Sequence, residues 1–175
     1  YRHTLRYAFG KATGTIAENV ASSVSWTPPV SLANQIPSAT AGSGTIYCDT
    51  YSGSTLLGTK SVSITLTVPG SVVPSAGTLS AALAEDTSGT GLYVKGMGKA
   101  KLTLSGASGA HGSSITSYTI TGGGWTATNG ALTTGTLASA GNITFTATVT
   151  DSRGRKASTT RTISVIDYTK PGVAV

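Results

Sequence analysis

The feature that most constrains this chain is a two-residue alternation of apolar and hydroxyl side chains, repeated over long runs. It is clearest in Lys60-Ser-Val62-Ser-Ile64-Thr-Leu66-Thr-Val68, where Val62, Ile64, Leu66 and Val68 fall on one side and Ser61, Ser63, Thr65 and Thr67 on the other. A helix, with 3.6 residues per turn, would scatter these side chains, whereas a strand keeps each set on its own face. The same pattern sets Leu5, Tyr7 and Phe9 against Thr4, Arg6 and Ala8, and Ile143, Phe145, Ala147 and Val149 against Thr144, Thr146 and Thr148. The polar faces are built from hydroxyls rather than charge, with 31 Thr and 23 Ser in 175 residues of which 10% are charged. Threonine is β-branched, so it fits a pleated surface while turning a polar group to water. The chain therefore reads as all-β.

Each half closes on a long hairpin followed by a proline: Thr45 to Tyr51 with Lys60 to Val68 before Pro69, and Ile143 to Thr150 with Lys156 to Ile166 before Pro171. Ser23 to Trp26 also alternates, up to Pro28 and Pro29, and Ser31 to Ile36 has the length of one helical turn before Pro37 stops it. Between the halves, Pro69 to Gly77 breaks the alternation with Pro and Gly. Short strands divided by frequent turns are the pattern of an immunoglobulin-like sandwich. The expectation is two tandem immunoglobulin-like β-sandwich domains, residues 1–70 and 78–175, joined by a short linker at 71–77.

With Cys48 as the single cysteine there is no intrachain disulfide, so apolar burial must hold each sheet pair together. In the second half the candidates are Leu102, Leu104, Ile115, Tyr118, Ile120, Ile143, Phe145, Val149, Ile163 and Val165. Trp26 is expected as a sandwich-core tryptophan, and Cys48 as a small buried apolar residue.

Chemistry is poorly supplied. Six carboxylates, two histidines and one cysteine are spread over the chain. Glu85 and Asp86 adjoin, but neighbours in a strand face opposite ways, and no Gly-x-Ser-x-Gly elbow occurs. The chain reads as non-catalytic, with no cofactor and no metal-ligand spacing. The net charge of +6 comes from scattered bases, so nucleic acid is not an expected partner. Lys95, Lys99 and Lys101 fit the solvent side of a strand. No apolar run approaches the roughly 20 residues of a helical membrane span. A chain beginning at Tyr1 reads as a fragment or a processed product.

Two places are candidate ligand contacts. Trp125 follows Gly122-Gly123-Gly124, where an indole either stacks on a sugar ring or packs into the core. Arg153 and Arg155 sit in a turn that opens with Asp151; they are either solvated turn residues or a guanidinium pair able to grip phosphate or carboxylate of a wall polymer. Thr-rich edge strands with little charge are also open to pairing with other subunits.

Tyr93 to Lys101, Gly112 to Tyr118 and Thr148 to Arg155 resemble minor structural proteins of siphophages infecting Gram-positive bacteria. Ser25 to Pro29, and Tyr51 to Thr55 through Gly58 to Lys60, are similar to the module that precedes them there. The resemblance covers nearly the whole chain and brings no catalytic motif. It implies a virion location in the tail or tail tip, other phage structural proteins as partners, and a role as spacer, decoration or host-surface contact. A carbohydrate-binding module for bacterial cell-wall polymer, with a host glycan as partner, is the alternative. A third reading is a domain of a bacterial surface or secreted adhesin.

Overall fold

The computed structural model describes residues 1–169; Lys170 and Pro171 lie outside them. It is all-β with antiparallel sheets, and Cys48 is a free thiol. The chain divides into two compact units, one made of Tyr1–Val72 with Ala110–Ser113, the other of Val73–Gly109 with the chain from Ser114 onward.

The second unit is a two-sheet sandwich. Its strands are β5 (Thr78–Asp86), β6 (Gly98–Ser105), β7 (Ile115–Gly122), β8 (Trp125–Ala127), β9 (Ala131–Thr133), β10 (Gly141–Asp151) and β11 (Lys156–Val165). They form a three-stranded sheet ordered β5-β6-β9 and a four-stranded sheet ordered β11-β10-β7-β8. Lettered A to G along the chain, with β8 as C′, this is A-B-E against G-F-C-C′, the immunoglobulin-like division of strands between two sheets. The alternation explains the packing. Leu102 of β6 and Phe145, Ala147 and Val149 of β10 point inward, while Thr144, Thr146 and Thr148 lie on the other side. Leu79, Ala100, Leu102 and Leu132 from one sheet meet Ile120, Phe145, Ala147, Ile163 and Val165 from the other.

Of the expected core, Leu104, Ile115 and Ile143 are only half-buried, because they lie toward strand ends where the second sheet gives less cover, and Tyr118, in the middle of β7, is half-buried as well. Two fully buried residues come from outside the strands. Val94 makes an isolated bridge with Ile166, and the Leu137 amide donates to the Gly98 carbonyl at 3.0 Å. Lys99 and Lys101 do lie on β6 away from the core, but Lys95 is in a turn.

The first unit has a different plan. β1 (Arg2–Phe9), β2 (Ala12–Val20), β3 (Ala41–Ser52) and β4 (Thr55–Thr67) make one sheet, ordered β2-β1-β3-β4. In place of a second sheet, a 3-10 segment, Val30–Gln35, covers one end of the apolar face. There Phe9 and Leu32 are buried, and Gly42 allows the close approach: a Cβ on it would lie 2.9 Å from Ile36 and 3.0 Å from Phe9. The helical turn expected near Ser31 to Ile36 is this segment.

Ser23 to Trp26 is not a strand. Four alternating residues running into Pro28 and Pro29, which lack amide donors, cannot sustain a ladder. Trp26 is half-buried and stacks on Tyr7, with ring centroids 5.0 Å apart and planes 25° apart, instead of entering a sandwich core. Cover fails farther along the sheet. Leu5, Ile46 and Cys48 are half-buried and Val62 is 59% exposed, so the apolar side of β4 is sealed only toward Val68.

Candidate functional site

Trp125 opens β8 directly after a two-residue hairpin turn, in which Gly122 pairs with Trp125 and both Gly123 and Gly124 have positive φ, 56° and 87°. Positive φ at both central positions is the type I′ geometry that suits the twist of paired strands, and glycine adopts it without steric cost. The same turn makes room for the indole: a Cβ on Gly123 would stand 2.7 Å from Cζ3 of the ring. One from Gly135 would stand 3.4 Å from Nε1. Trp125 is half-buried and packs against the sandwich core.

The arginine turn is organised by Asp151, which is 2% exposed. Its Oδ1 accepts the Arg153 amide at 3.0 Å and the Arg155 amide at 2.9 Å, while its own amide donates to the Arg155 carbonyl at 2.9 Å. Gly154, at φ 78°, closes the turn. Arg153 is buried, Arg155 is half-buried, and both side chains' residues already have interaction partners in the structure.

The two candidate contacts do not share a surface. Trp125 lies beside the Thr144–Phe145 end of β10, through Gly122, and the arginines follow Asp151 at its other end. Six residues of strand separate these ends, about 20 Å at the usual rise. The structure therefore does not bring Trp125 together with Arg153 and Arg155 into one site.

A polar cluster that the sequence reading missed lies on the hydroxyl face of the first unit. Arg6 Nε donates to Asp49 Oδ2 at 2.8 Å, Thr59 donates to Asp49 Oδ1 at 2.6 Å, and the Arg6 guanidinium sits 4.2 Å from the Tyr47 ring centroid. The hydrogen bond from Arg6, followed by that from Thr59, holds the Asp49 carboxyl below the usual carboxylate range, and the same bond raises Arg6. Both carboxylate oxygens are thus committed to holding strands together. The parity of Arg6 and Asp49 was readable; the register that sets Arg6 opposite Tyr47 and Asp49 opposite Thr59 was not.

The first unit also has an apolar cleft of about 220 Å3 between the 3-10 segment and the sheet, lined by Phe9, Pro28, Pro29, Leu32, Leu66 and their neighbours. No titratable side chain lines it. Among the described residues no group of three or more His, Cys, Asp or Glu is placed to hold a metal ion, and no helix is long and apolar enough to cross a membrane.

Comparison with known proteins adds one strong finding. The profile of a family described as "Siphovirus protein of unknown function (DUF859)" matches residues 1–175. Comparison with curated proteins gave no match. Among solved structures, the fibronectin(III)-like modules of Clostridium thermocellum CbhA align over 94% of this chain and 78% of theirs, at 11% identity and a TM-score of 0.39. A likeness that low carries no argument, and the immunoglobulin-like assignment rests on the strand order of the second unit.

Proposed function

The chain belongs to this siphovirus family along its whole length, and from that membership we propose that it is a non-catalytic structural module of the virion, built into the tail or tail tip as a spacer or decoration. The family match carries the reading. The fold supports it, since in the second unit the alternating strands are spent on a core of residues such as Phe145, Leu102 and Ile120, each fully buried between two sheets. The partners on this reading are other structural proteins of the particle, and host-surface contact is a further role the same position would allow.

Mass spectrometry of purified particles, with gold-labelled antibody to this chain, is the test. Peptides of the chain in the particle and label on the tail are expected; particles complete without it would end the proposal. The carbohydrate-binding alternative draws on Trp125, Arg153 and Arg155, and their placement at opposite ends of β10 gives it no common site. Cell-wall pull-down that survives Trp125→Ala combined with Arg153→Ala would remove these residues from that alternative.

A further inference from the structure

A strand at the edge of a sheet leaves a row of backbone amides and carbonyls unpaired, and proteins usually blunt such edges with bulges, charges, proline, shortness or a covering segment. The described edges of this chain follow that rule with one exception. β2 has two register shifts against β1 and carries Glu18 and a left-handed Asn19 at φ 57°. β5 has a register shift beside Glu85 and Asp86. β8 and β9 are three residues long. β11 carries Lys156 and Arg161, and the chain just beyond it, at Ile166, is bridged by Val94.

Beyond its first three residues β4 has only one of these devices, the single charge of Lys60. It is 13 residues long, stands at the edge of its sheet, and has β3 as its sheet neighbour. Its register with β3 shifts once, close to the hairpin turn, and then runs unbroken from Gly58 to Thr67. It contains no proline and a single charge, Lys60. Every residue from Thr55 to Ser63 is exposed, Val62 by 59%.

We propose that β4 is an association edge on which a second copy of this chain docks, antiparallel, to continue the sheet from four strands to eight. The sequence of β4 fits itself. An antiparallel pair related by a two-fold axis matches residues whose numbers have a constant even sum, so each face meets the same face of its copy. With the axis at Val62, Val62 lies against the partner's Val62, Lys60 against the partner's Ile64, and Gly58 against the partner's Leu66. On the other face Ser61 and Thr59 meet the partner's Ser63 and Thr65. The two Lys60 ammonium groups stand about four residues, or ~13 Å, apart, beyond the screening length of about 8 Å at physiological salt. No like charges oppose each other, and the exposed apolar side of Val62 gains cover. This inference is independent of where in a virion the chain resides.

Sedimentation across a concentration series and amide hydrogen exchange on this 175-residue chain test it together. The expected result is a monomer that becomes a dimer on concentration, with alternate amides between Gly58 and Thr67 gaining protection in step. Val62→Lys, at an exposed position beside Lys60, should keep the fold, read from Trp26 emission, and raise the dissociation constant at least about tenfold by placing two ammonium groups face to face. Three results would overturn the proposal: a monomer at every concentration with β4 exchanging freely, a dimer whose β4 amides stay unprotected, or an unchanged dimer in Val62→Lys. The exchange measurement on the unaltered chain decides the matter even where a variant misfolds.

Discussion

The two units are written in the same alternating script and reach different degrees of closure. In the second, each inward face meets another sheet, so Phe145, Leu102, Ile120 and Val149 have no exposure to water. In the first, an equally regular face meets a six-residue 3-10 segment and a stacked tryptophan, and its apolar residues grade from buried Phe9 through half-buried Ile46 to exposed Val62. The difference teaches that alternation specifies which side of a strand is apolar, while the number of strands and their order decide whether that side is sealed.

The largest test of this contrast is truncation of one buried side chain in each unit. Phe145→Ala should cost roughly 3–5 kcal/mol, the cost usual for deleting a buried aromatic ring. Ile46→Ala, at a half-buried position, should cost about 1–2 kcal/mol, since less contact is lost and water can fill the space. Each unit holds one of the two tryptophans, so urea unfolding can be followed at Trp125 in a Trp26→Phe background and at Trp26 in a Trp125→Phe background. Equal costs would erase the distinction between a sealed and an open core.

Next in size is Gly123→Ala. An L-residue at φ 56° with its Cβ pressed onto the Trp125 ring should cost about 1–3 kcal/mol and shift Trp125 emission to the red as the ring is displaced. Unchanged stability would mean that the indole is not held by the turn. The counterpart in the first unit is Trp26→Ala, which removes the stack on Tyr7. Such aromatic pairs contribute about 0.5–1.5 kcal/mol beyond the area they bury, and chemical denaturation of the first unit should register a loss of at least that order. No loss would show that Tyr7 keeps its place against Gly14 without the second ring.

The long, strictly alternating segments were legible in the sequence: β1, β3, β4, β10 and β11 lie where period two put them, and the 3-10 segment lies before Pro37. β2 was not, because Ala12 to Val20 sets only Ile16 and Val20 as large apolar residues among small and polar ones, and its register shifts hide the period. Short β9 carries too few residues for a period to show, and the chain after Thr133 leaves the ladder while Leu137 still turns into the core. Of the candidate site, the turn chemistry at Gly123-Gly124 and at Asp151 was readable from residue type. The burial of Arg153, and the 20 Å scale separating it from Trp125, depend on which strand ends lie together, and local pattern does not encode that. The Arg6–Asp49–Thr59 cluster was hidden for the same reason, since it spans three strands whose register only tertiary pairing fixes.

The finest comparison is electrostatic. Each unit has a carboxylate held below the usual range, but by different donors. Asp49 in the first unit is held chiefly by the Arg6 guanidinium, and Asp86 in the second by the Ser88 hydroxyl and then the Gly91 amide. A carboxylate whose pKa is lower in the folded state stabilises the fold fully above its unfolded value, near 3.9, and loses that contribution as pH falls through the folded value. Both units should therefore lose some stability below about pH 4, and Asp49→Asn or Asp86→Asn should flatten the loss in its own unit. Salt should tell the two apart. Screening weakens the attraction between Asp49 and Arg6, whose side chain is 44% exposed. The bonds from a neutral hydroxyl and neutral amides to Asp86 have no ionic partner to screen. Raising ionic strength at pH 5 should thus shrink the difference between parent and Asp49→Asn and leave that between parent and Asp86→Asn in place, as read from the tryptophan of each unit. If salt acts on both alike, the Arg6 ion pair is not what distinguishes the first unit's carboxylate from the second's.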